Sequence, residues 1–256
     1  MTSFPPSSPQ PSDAPYGQSG SPVPAPGTDL TSDLGAGLKF AGRAMLRNPV
    51  SCLVPGLIYA VLILIAVFVG IGAAIGLIGA RADELASSDA AMVGLILLSI
   101  GLSFVAVLLA LLIAGPWQSG VARAGEVIRD GGRPSIGQAL IGPGRVVATA
   151  MLVLVIINIG SLLLYVPGLI ASVLLFYAIP AAARGASPAE AMRTSARVAM
   201  DNLGTTIVAW LAVMVASSVV MFTVVGIVIV VPFMVLLQLG MYERLNGRAL
   251  PEPARS

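Results

Sequence analysis

The sequence predicts an all-α membrane protein with six transmembrane helices, arranged as three hairpins that are each preceded by a cytoplasmic amphipathic helix. Of its 256 residues, 57% are hydrophobic and only 10% are charged, whereas ordinary soluble domains carry about 25% charged residues. The charged residues leave four long uncharged runs, and turn signals interrupt the two longest. Almost all basic residues also fall on one side of the resulting topology.

Two of the uncharged runs predict one span each. They lie between Arg47 and Arg81 and between Asp89 and Arg123, and each contains 33 residues. An apolar helix of about 20 residues crosses the hydrocarbon core of a bilayer. Each run therefore holds one span with its interfacial ends, and the predicted spans are 50–79 and 91–115.

The other two runs are long enough for two spans each. They contain 38 and 41 residues, which correspond to roughly 57 and 61 Å of helix at 1.5 Å per residue. Each run has a break near its middle, at Val166-Pro167-Gly168 and at Val224-Val225-Gly226. The predicted hairpins therefore pair 146–165 with 168–183, and 205–223 with 226–242.

The basic residues support six spans with a cytoplasmic N-terminus. This topology places 13 of the 14 Lys and Arg residues inside, and only Arg81 faces outside. Cytoplasmic loops of membrane proteins carry an excess of Lys and Arg. A four-span topology would place Arg184, Arg193 and Arg197 outside, so six spans are preferred.

Three regions follow from the composition. Residues 1–28 contain eight prolines and six serines with a single charge, Asp13. Such a segment buries too little apolar area to offset its ordering entropy. We expect 1–30 to be a disordered Pro/Ser-rich cytoplasmic tail, 31–246 to be the six-span membrane domain, and 247–256 to be a short cytoplasmic tail.

Two amphipathic helices are predicted outside the spans. The first covers 34–48, has a candidate N-cap among Thr31, Ser32 and Asp33, and carries a basic residue at every fourth position. The second follows the N-cap residue Ser187 and has a polar stripe opposite an apolar one. The polar stripe is Glu190, Arg193, Arg197 and Asp201, and the apolar one is Met192, Ala196, Ala199 and Leu203.

The basic residues of these helices are the candidate interface residues. An anionic leaflet attracts each exposed Lys or Arg by about 1 kcal/mol. We expect this attraction to hold the helices at the cytoplasmic membrane surface and to fix the topology of the adjoining hairpins. The residues concerned are Lys39, Arg43, Arg47, Arg193 and Arg197.

The two amphipathic helices align without a gap at a constant offset of 154 residues. Lys39 falls on Arg193, Arg43 falls on Arg197, and Asn48 falls on Asn202. A weaker version of the pattern, 135–145, precedes the middle hairpin. Three repeated units are therefore predicted. Such repeats occur in transporters and equally in duplicated scaffolds, so the repetition does not decide between these functions.

The composition argues against catalysis. The chain has no histidine, which excludes His-based acid–base chemistry, the Ser-His-Asp triad and His-containing metal sites. Its single cysteine, Cys52, excludes an intrachain disulfide. No predicted span contains an ionisable residue of the kind on which proton relays and ion-coupled pumps rely. We expect no enzyme activity, no cofactor or metal, and no nucleic-acid partner.

Asn158 and Gln238 are candidate polar contacts inside the membrane. They can hydrogen-bond to each other or line a polar path. They can instead join neighbouring helices, in contacts worth about 1 kcal/mol or less. The second interpretation is the one we favour.

Residues 163–204 combine a Pro167-Gly168 turn, a span ending in Pro180, and Ser187-Pro188 opening an amphipathic helix that ends near Asn202. This pattern resembles bacterial multi-pass integral membrane proteins of uncharacterised function. That group is similar to the membrane-anchor domain of some glycerophosphodiester phosphodiesterases. Their catalytic barrel needs about 250 residues of its own, so we expect the activity not to transfer. The resemblance implies a multi-pass protein of the bacterial inner membrane with both termini cytoplasmic.

Two functions fit these observations. The first is a non-enzymatic scaffold that organises lipids or partner proteins, with membrane lipids, a membrane-protein partner or a second copy of the chain as its partners. The alternative is a small-solute transporter or channel component, which the six spans, the repeats and the proline kinks favour.

Overall fold

The computed structural model describes residues 24–81, 88–220 and 224–254, and within these residues all regular structure is helical. The predicted disordered tail thus lies, up to residue 23, outside the described residues. The described helices are α1 (Leu30–Arg47), α2 (Pro49–Ala80), α3 (Asp89–Arg129), α4 (Ile136–Leu140), α5 (Gly144–Leu164), α6 (Val166–Leu174), α7 (Ala178–Ala183), α8 (Pro188–Asp201), α9 (Leu203–Val220) and α10 (Val224–Leu245).

In the described part of the chain, four helical stretches are long and apolar enough to cross a membrane. They are Pro49–Ala80, Asp89–Arg129, Ile136–Leu164 and Gly226–Leu245. Helices α8 and α9 meet at an angle of 107°, and they add a fifth candidate span if the two are counted as one broken span. The fold is thus all-helical and compatible with a multi-pass membrane protein.

The predicted span 168–183 is not one continuous helix. It falls on α6 and α7, which are separated by a turn at 175–177. Pro180 lies in the first turn of α7, where a proline's missing N–H is tolerated. At 1.5 Å per residue the two helices are about 13 and 9 Å long, and neither alone spans a hydrocarbon core of about 30 Å.

The chain still returns along α6 and α7 to the end at which α5 begins. Arg145, in the first turn of α5, donates from Nε to the carbonyl of Ala182 at 3.0 Å. The reversal occurs at Tyr165, a non-glycine residue with φ of +62°, beside the predicted break at 166–168. The two arms touch there, since a Cβ on Gly160 would lie 2.8 Å from the backbone N of Gly168.

Helix α3 continues well beyond the predicted span 91–115. It runs through Pro116 to Arg129, so its 41 residues reach about 62 Å. The short helix α4 packs against this extension. A Cβ on Gly120 would lie 2.2 Å from the carbonyl oxygen of Ala139, so only glycine admits this approach.

The buried core lies at one end of the molecule, which we call the packed end. It is formed by α1, α4, α7, α8, α9, the first turns of α2 and α5, the last third of α3 and the last half of α10, with Trp117, Tyr177 and Leu236 among its enclosed side chains. In the most apolar stretch of α10, 67% of the residues are buried, against 6% in α2. Helix α10 is therefore the central helix, whereas α2 and the first half of α3 present apolar side chains outward.

Candidate functional site

The predicted interface residues lie on two helices, α1 and α8, that end in the same way. Asn48 follows α1 with φ of −131° and ψ of 53°, and Asn202 follows α8 with φ of −128° and ψ of 43°. Each asparagine donates its side-chain amide to the helix carbonyl four residues earlier, at 3.2 and 3.1 Å. The same carbonyl also accepts the backbone N–H of that asparagine, at 3.1 Å in both helices. The 154-residue offset therefore relates two equivalent backbone turns.

The basic stripes of the two helices are covered to different extents. Lys39 on α1 and both Arg193 and Arg197 on α8 are exposed. Arg43 and Arg47 are partly covered by residues 250–254, which we call the tail strap. The buried side of α8 is formed by Ala191, Ser195 and Ala199. Of the predicted apolar face, Ala199 lies on this buried side, whereas Leu203 is 48% exposed.

The tail strap is held by both arginines of α1. Oε1 of Glu252 accepts from Arg43 at 3.1 Å and from Arg47 at 2.5 Å. Arg47 also donates to the carbonyl of Pro253, and the amide of Asn48 donates to that of Ala254. The hydrogen bond from Arg47, followed by the charges of Arg47 and Arg43, lowers the pKa of Glu252. No local sequence signal predicts this contact.

A buried ion pair joins α1 to α10. Nε of Arg244 lies 2.7 Å from Oδ1 of Asp33, and both side chains are at most 8% exposed. The backbone N–H of Gly27 donates to the same carboxylate oxygen at 3.1 Å. The N-cap of α1 is Asp29, which accepts from the N–H of Ser32, so the predicted N-cap at Thr31, Ser32 or Asp33 is wrong.

A second buried carboxylate, Glu243, gathers arginines from three segments. Its side chain is 2% exposed, and Arg184 donates to both of its oxygens. Arg248 lies at 3.3 Å and Arg129 at 3.7 Å. The hydrogen bond to Glu243 raises the pKa of Arg184. A buried charge is tolerated when it is paired and hydrogen-bonded, so Glu243 locks α3, α7 and α10 together.

Ser195 bridges the break between α6 and α7. Its hydroxyl donates to the carbonyl of Leu174 at 2.8 Å and accepts from the N–H of Tyr177 at 3.0 Å. The phenol of Tyr177 lies 3.3 Å from the hydroxyl of Thr206 on α9. Hydroxyl groups of α8 and α9 therefore satisfy the carbonyl of Leu174 and the N–H and phenol of Tyr177.

Asn158 and Gln238 are not brought together. Both side chains are described, and no hydrogen bond joins them. The amide of Asn158 donates to the carbonyl of Leu154 in its own helix at 2.8 Å. Oε1 of Gln238 is buried without a hydrogen-bond partner, and its side chain is 7% exposed in α10.

Across the described residues, no group of three or more His, Cys, Asp or Glu side chains lies close enough to hold a metal ion. Cys52 is a buried free thiol. Among the clefts between the long helices, one of about 380 Å³ is lined by Ser99 and five apolar residues of α2 and α3. Another, of about 240 Å³ and also between α2 and α3, is lined by Arg81 and five uncharged residues. A further cleft, of about 160 Å³, is lined by apolar residues of α3 and α5 alone.

The contacts that sequence analysis missed are long-range pairs of charged or hydroxyl groups. Asp33 and Arg244 are 211 residues apart, and Arg43 and Glu252 are 209 apart. Two sequence features single out these carboxylates. Glu252 is the one acidic residue of 247–256, and Glu243 ends the longest uncharged run. Neither observation identifies a partner.

Comparisons with known proteins find relatives without an assigned function. The uncharacterised proteins Rv2560 of Mycobacterium tuberculosis H37Rv and Mb2590 of Mycobacterium bovis are each 27% identical to this chain over 253 residues. Each alignment covers 92% of this chain and 76% of the relative. No family model matches the sequence. No solved structure matches it either.

Proposed function

We propose that the protein is a non-enzymatic membrane scaffold that organises lipids or partner proteins. The observation that carries this proposal is the contrast between its two ends. The buried charged groups of the packed end pair with one another across helices. The outward-facing helices present apolar clefts to their surroundings. This combination favours a rigid support with an apolar contact surface over a reaction centre.

The ion pairs of the packed end support the rigid part of this proposal. Asp33 with Arg244 and Glu243 with Arg184 each connect segments that are distant in sequence. Removing one partner of such a buried pair typically costs about 3–5 kcal/mol, because a buried charge is left uncompensated. These charges hold helices in place, and we assign them no role in chemistry.

The apolar clefts are the evidence for the proposed contact surface. The cleft of about 380 Å³ lies at the outer ends of α2 and α3, and Ile78, Leu95 and Ile100 are among its lining residues. Neighbouring side chains such as Phe68 and Leu97 are 68% and 64% exposed. Exposed apolar surface of this extent fits acyl chains or a partner's transmembrane helix.

Six spans with both termini in the cytoplasm of a bacterial cell remain our proposed topology. The hydrogen bond from Arg145 to Ala182 supports it, because α5 starts where α7 ends. In this proposal α6 and α7 together form the fourth span despite their break. Alkaline phosphatase fused after Gly168 and after Gly226 should be active at both turns, and inactive fusions at both would overturn the six-span topology.

Chemical crosslinking in native membranes tests the scaffold itself. A tagged full-length chain, treated with a mild crosslinker and purified, should recover the same protein partner or lipid class in replicate preparations. The matched control is a tagged membrane protein of similar size expressed at the same level. Recovery of nothing beyond the control in repeated experiments would count against a scaffold.

The broken helix is the observation that favours the alternative, a small-solute transporter or channel component. Transporters often place their binding sites at discontinuous helices near the bilayer midplane, and the break at 175–177 is bridged by Ser195. Reconstituted liposomes test this function. A solute whose flux needs the protein and falls in a Ser195→Ala variant would favour transport over the scaffold.

The five candidate interface residues are assigned to membrane-surface contact. Replacing Arg193 and Arg197 by Glu inverts two exposed charges on α8, and an anionic leaflet would then repel that helix. We expect lower abundance or an altered topology in reporter fusions. The same replacements with Lys keep the charge and serve as the control, and unchanged abundance and topology in the Glu variant would contradict this role.

A further inference from the structure

We infer that Arg43 and Arg47 form a binding site for the phosphate of an anionic lipid headgroup, and that Glu252 of the same chain occupies this site in the structure. The inference deepens the proposed function and rests on it in one respect, the placement of α1 at a membrane surface. The ligand is an anionic lipid, and Glu252 competes with it for the two arginines.

The geometry is that of an anion site with a carboxylate already in it. A single oxygen of Glu252 accepts from a guanidinium nitrogen of Arg43 at 3.1 Å and from one of Arg47 at 2.5 Å. Guanidinium groups offer planar sets of donors that suit carboxylate and phosphate oxygens alike. The Glu252 carboxylate therefore marks where an oxygen of an external anion would be held.

A larger anion than a carboxylate has room and a further donor. A cavity of about 160 Å³ separates α1 from the tail strap, and Lys39, Phe40 and Arg43 line its helical side. Lys39 is exposed one turn before Arg43 on the same stripe. The two non-bridging oxygens of a phosphate diester lie farther apart than the two oxygens of a carboxylate, so one can reach the ammonium while the other accepts from both arginines.

The surroundings indicate a lipid in preference to a soluble phosphate. Leu46, beside Arg47, is 82% exposed, and Val50 and Leu57 on α2 are 53% and 56% exposed. The apolar surface thus continues from the end of α1 along α2. An acyl chain lying on that surface brings its headgroup to the level of Arg43 and Arg47.

The internal anion is held weakly enough to be displaced. The side chain of Glu252 is 58% exposed, against 43% for Arg43 and 25% for Arg47, and the ion pairs of an exposed carboxylate are weak and screened by salt. An anionic membrane surface attracts the basic residues and repels Glu252. The bonds from Arg47 to Pro253 and from Asn48 to Ala254 involve backbone carbonyls, so the tail strap can stay attached while the carboxylate moves away.

Titration of the purified full-length chain with short-chain phosphatidylglycerol, followed by native mass spectrometry, tests the site. We expect Glu252→Gln to bind this lipid about two- to fivefold more tightly than the wild type, the range that an exposed ion pair corresponds to. Adding Arg43→Gln and Arg47→Gln should remove that gain. Phosphatidylcholine should show no gain in any variant.

Asp130→Asn is the matched control. Asp130 is a similarly exposed carboxylate, 66% exposed and 2.9 Å from Arg129, so its loss changes the net charge equally without touching α1. It should leave phosphatidylglycerol affinity unchanged. If the triple variant loses its helical circular dichroism, Glu252→Gln with Arg43→Gln alone takes its place, and it should lose most of the gain.

Three results would overturn the inference. They are wild-type affinity in Glu252→Gln, a gain that survives the arginine substitutions, and inorganic phosphate binding to Glu252→Gln as tightly as phosphatidylglycerol does, which would make this a soluble-phosphate site. The measurement needs no protein partner. A crosslinking search that recovers no protein partner would therefore count against a protein scaffold and leave the lipid site standing. Failure of the lipid titration would leave a recovered protein partner unaffected.

Discussion

Helices α1 and α8 share a backbone plan and differ in what covers their polar faces. Both end at an asparagine with the same backbone conformation, and both lead directly into a long apolar helix. The tail strap covers two arginines of α1. On α8 the corresponding face is exposed, with Arg193 and Arg197 at the surface.

The difference extends to the start of each helix. Asp33 of α1 forms a buried ion pair with Arg244, whereas Ser187, 154 residues later, caps α8 by accepting from the N–H of Glu190. The same place in the repeat thus serves a tertiary contact in one helix and a local cap in the other. The comparison teaches that positions 154 residues apart can share a backbone conformation, while distant partners decide the contacts of each polar side chain.

The largest difference in stability should come from substituting Asp33 of α1 and Ser187 of α8. Asp33→Asn leaves Arg244 buried without its counter-charge, which we expect to destabilise the protein by about 3 kcal/mol. Ser187→Ala removes only a helix cap and should cost about 1 kcal/mol. Chemical unfolding in detergent compares the two. Equal losses would contradict the distinction drawn between α1 and α8.

Ser195 offers the next test, because its counterpart on α1 is Ala41 and has no hydroxyl. Ser195→Ala leaves the N–H of Tyr177 and the carbonyl of Leu174 without their side-chain partner, at an expected cost of about 1–3 kcal/mol. Ser217→Ala is the control, since that hydroxyl bonds only to its own helix at Val213. Thermal unfolding should separate the two variants, and a Ser195→Ala protein as stable as the control would exclude the proposed bridge.

Substituting the asparagines that end α1 and α8 should produce a smaller difference in the free energy of unfolding. Asn48 is fully buried and also bonds to Ala254, whereas Asn202 is partly exposed and bonds only to Val198. Asn48→Ala should cost about 1 kcal/mol and Asn202→Ala should cost less. Unfolding midpoints under identical detergent conditions measure the difference, and a larger loss at Asn202 would reverse our ranking.

The smallest effect should be the pH dependence of the tail strap. The pKa of Glu252 is lowered in the folded chain from an ordinary value of 4.5. Its contribution is therefore complete above pH 4.5 and is lost as the pH falls through the lowered value. In carbon-13 NMR, the carboxyl carbon of Glu252 should therefore titrate with a midpoint below pH 4.5. Replacing Arg43 and Arg47 by Gln should move this midpoint up toward 4.5, and a wild-type midpoint at or above 4.5 would contradict the pairing.

Much of the fold follows from local sequence signals. Uncharged runs located α2, α5 and α10, and Ser187 correctly predicted the start of α8. Local signals failed where tertiary contacts decide. The break at 175–177 is bridged by Ser195 from another segment, and the extension of α3 beyond Pro116 packs against α4.

The candidate site was predictable only in part. The period of four that places Lys39, Arg43 and Arg47 on one stripe is a local property, so the sequence reveals it. The carboxylate that meets two of them lies more than 200 residues away. A single sequence contains no periodicity or spacing that connects such distant positions, so Glu252, Glu243 and Arg244 could not be assigned partners.

The central claim is that α1 and α8 are equivalent helices at the cytoplasmic face of the membrane. Single cysteines at Lys39 and at Arg193, in a Cys52→Ala background, test it most directly with a membrane-impermeant maleimide. Both should resist labelling in intact cells and react after permeabilisation, while a cysteine at Ser88 should react in intact cells. Labelling of position 193 but not 39 in intact cells would place the two helices on opposite faces and contradict the claim.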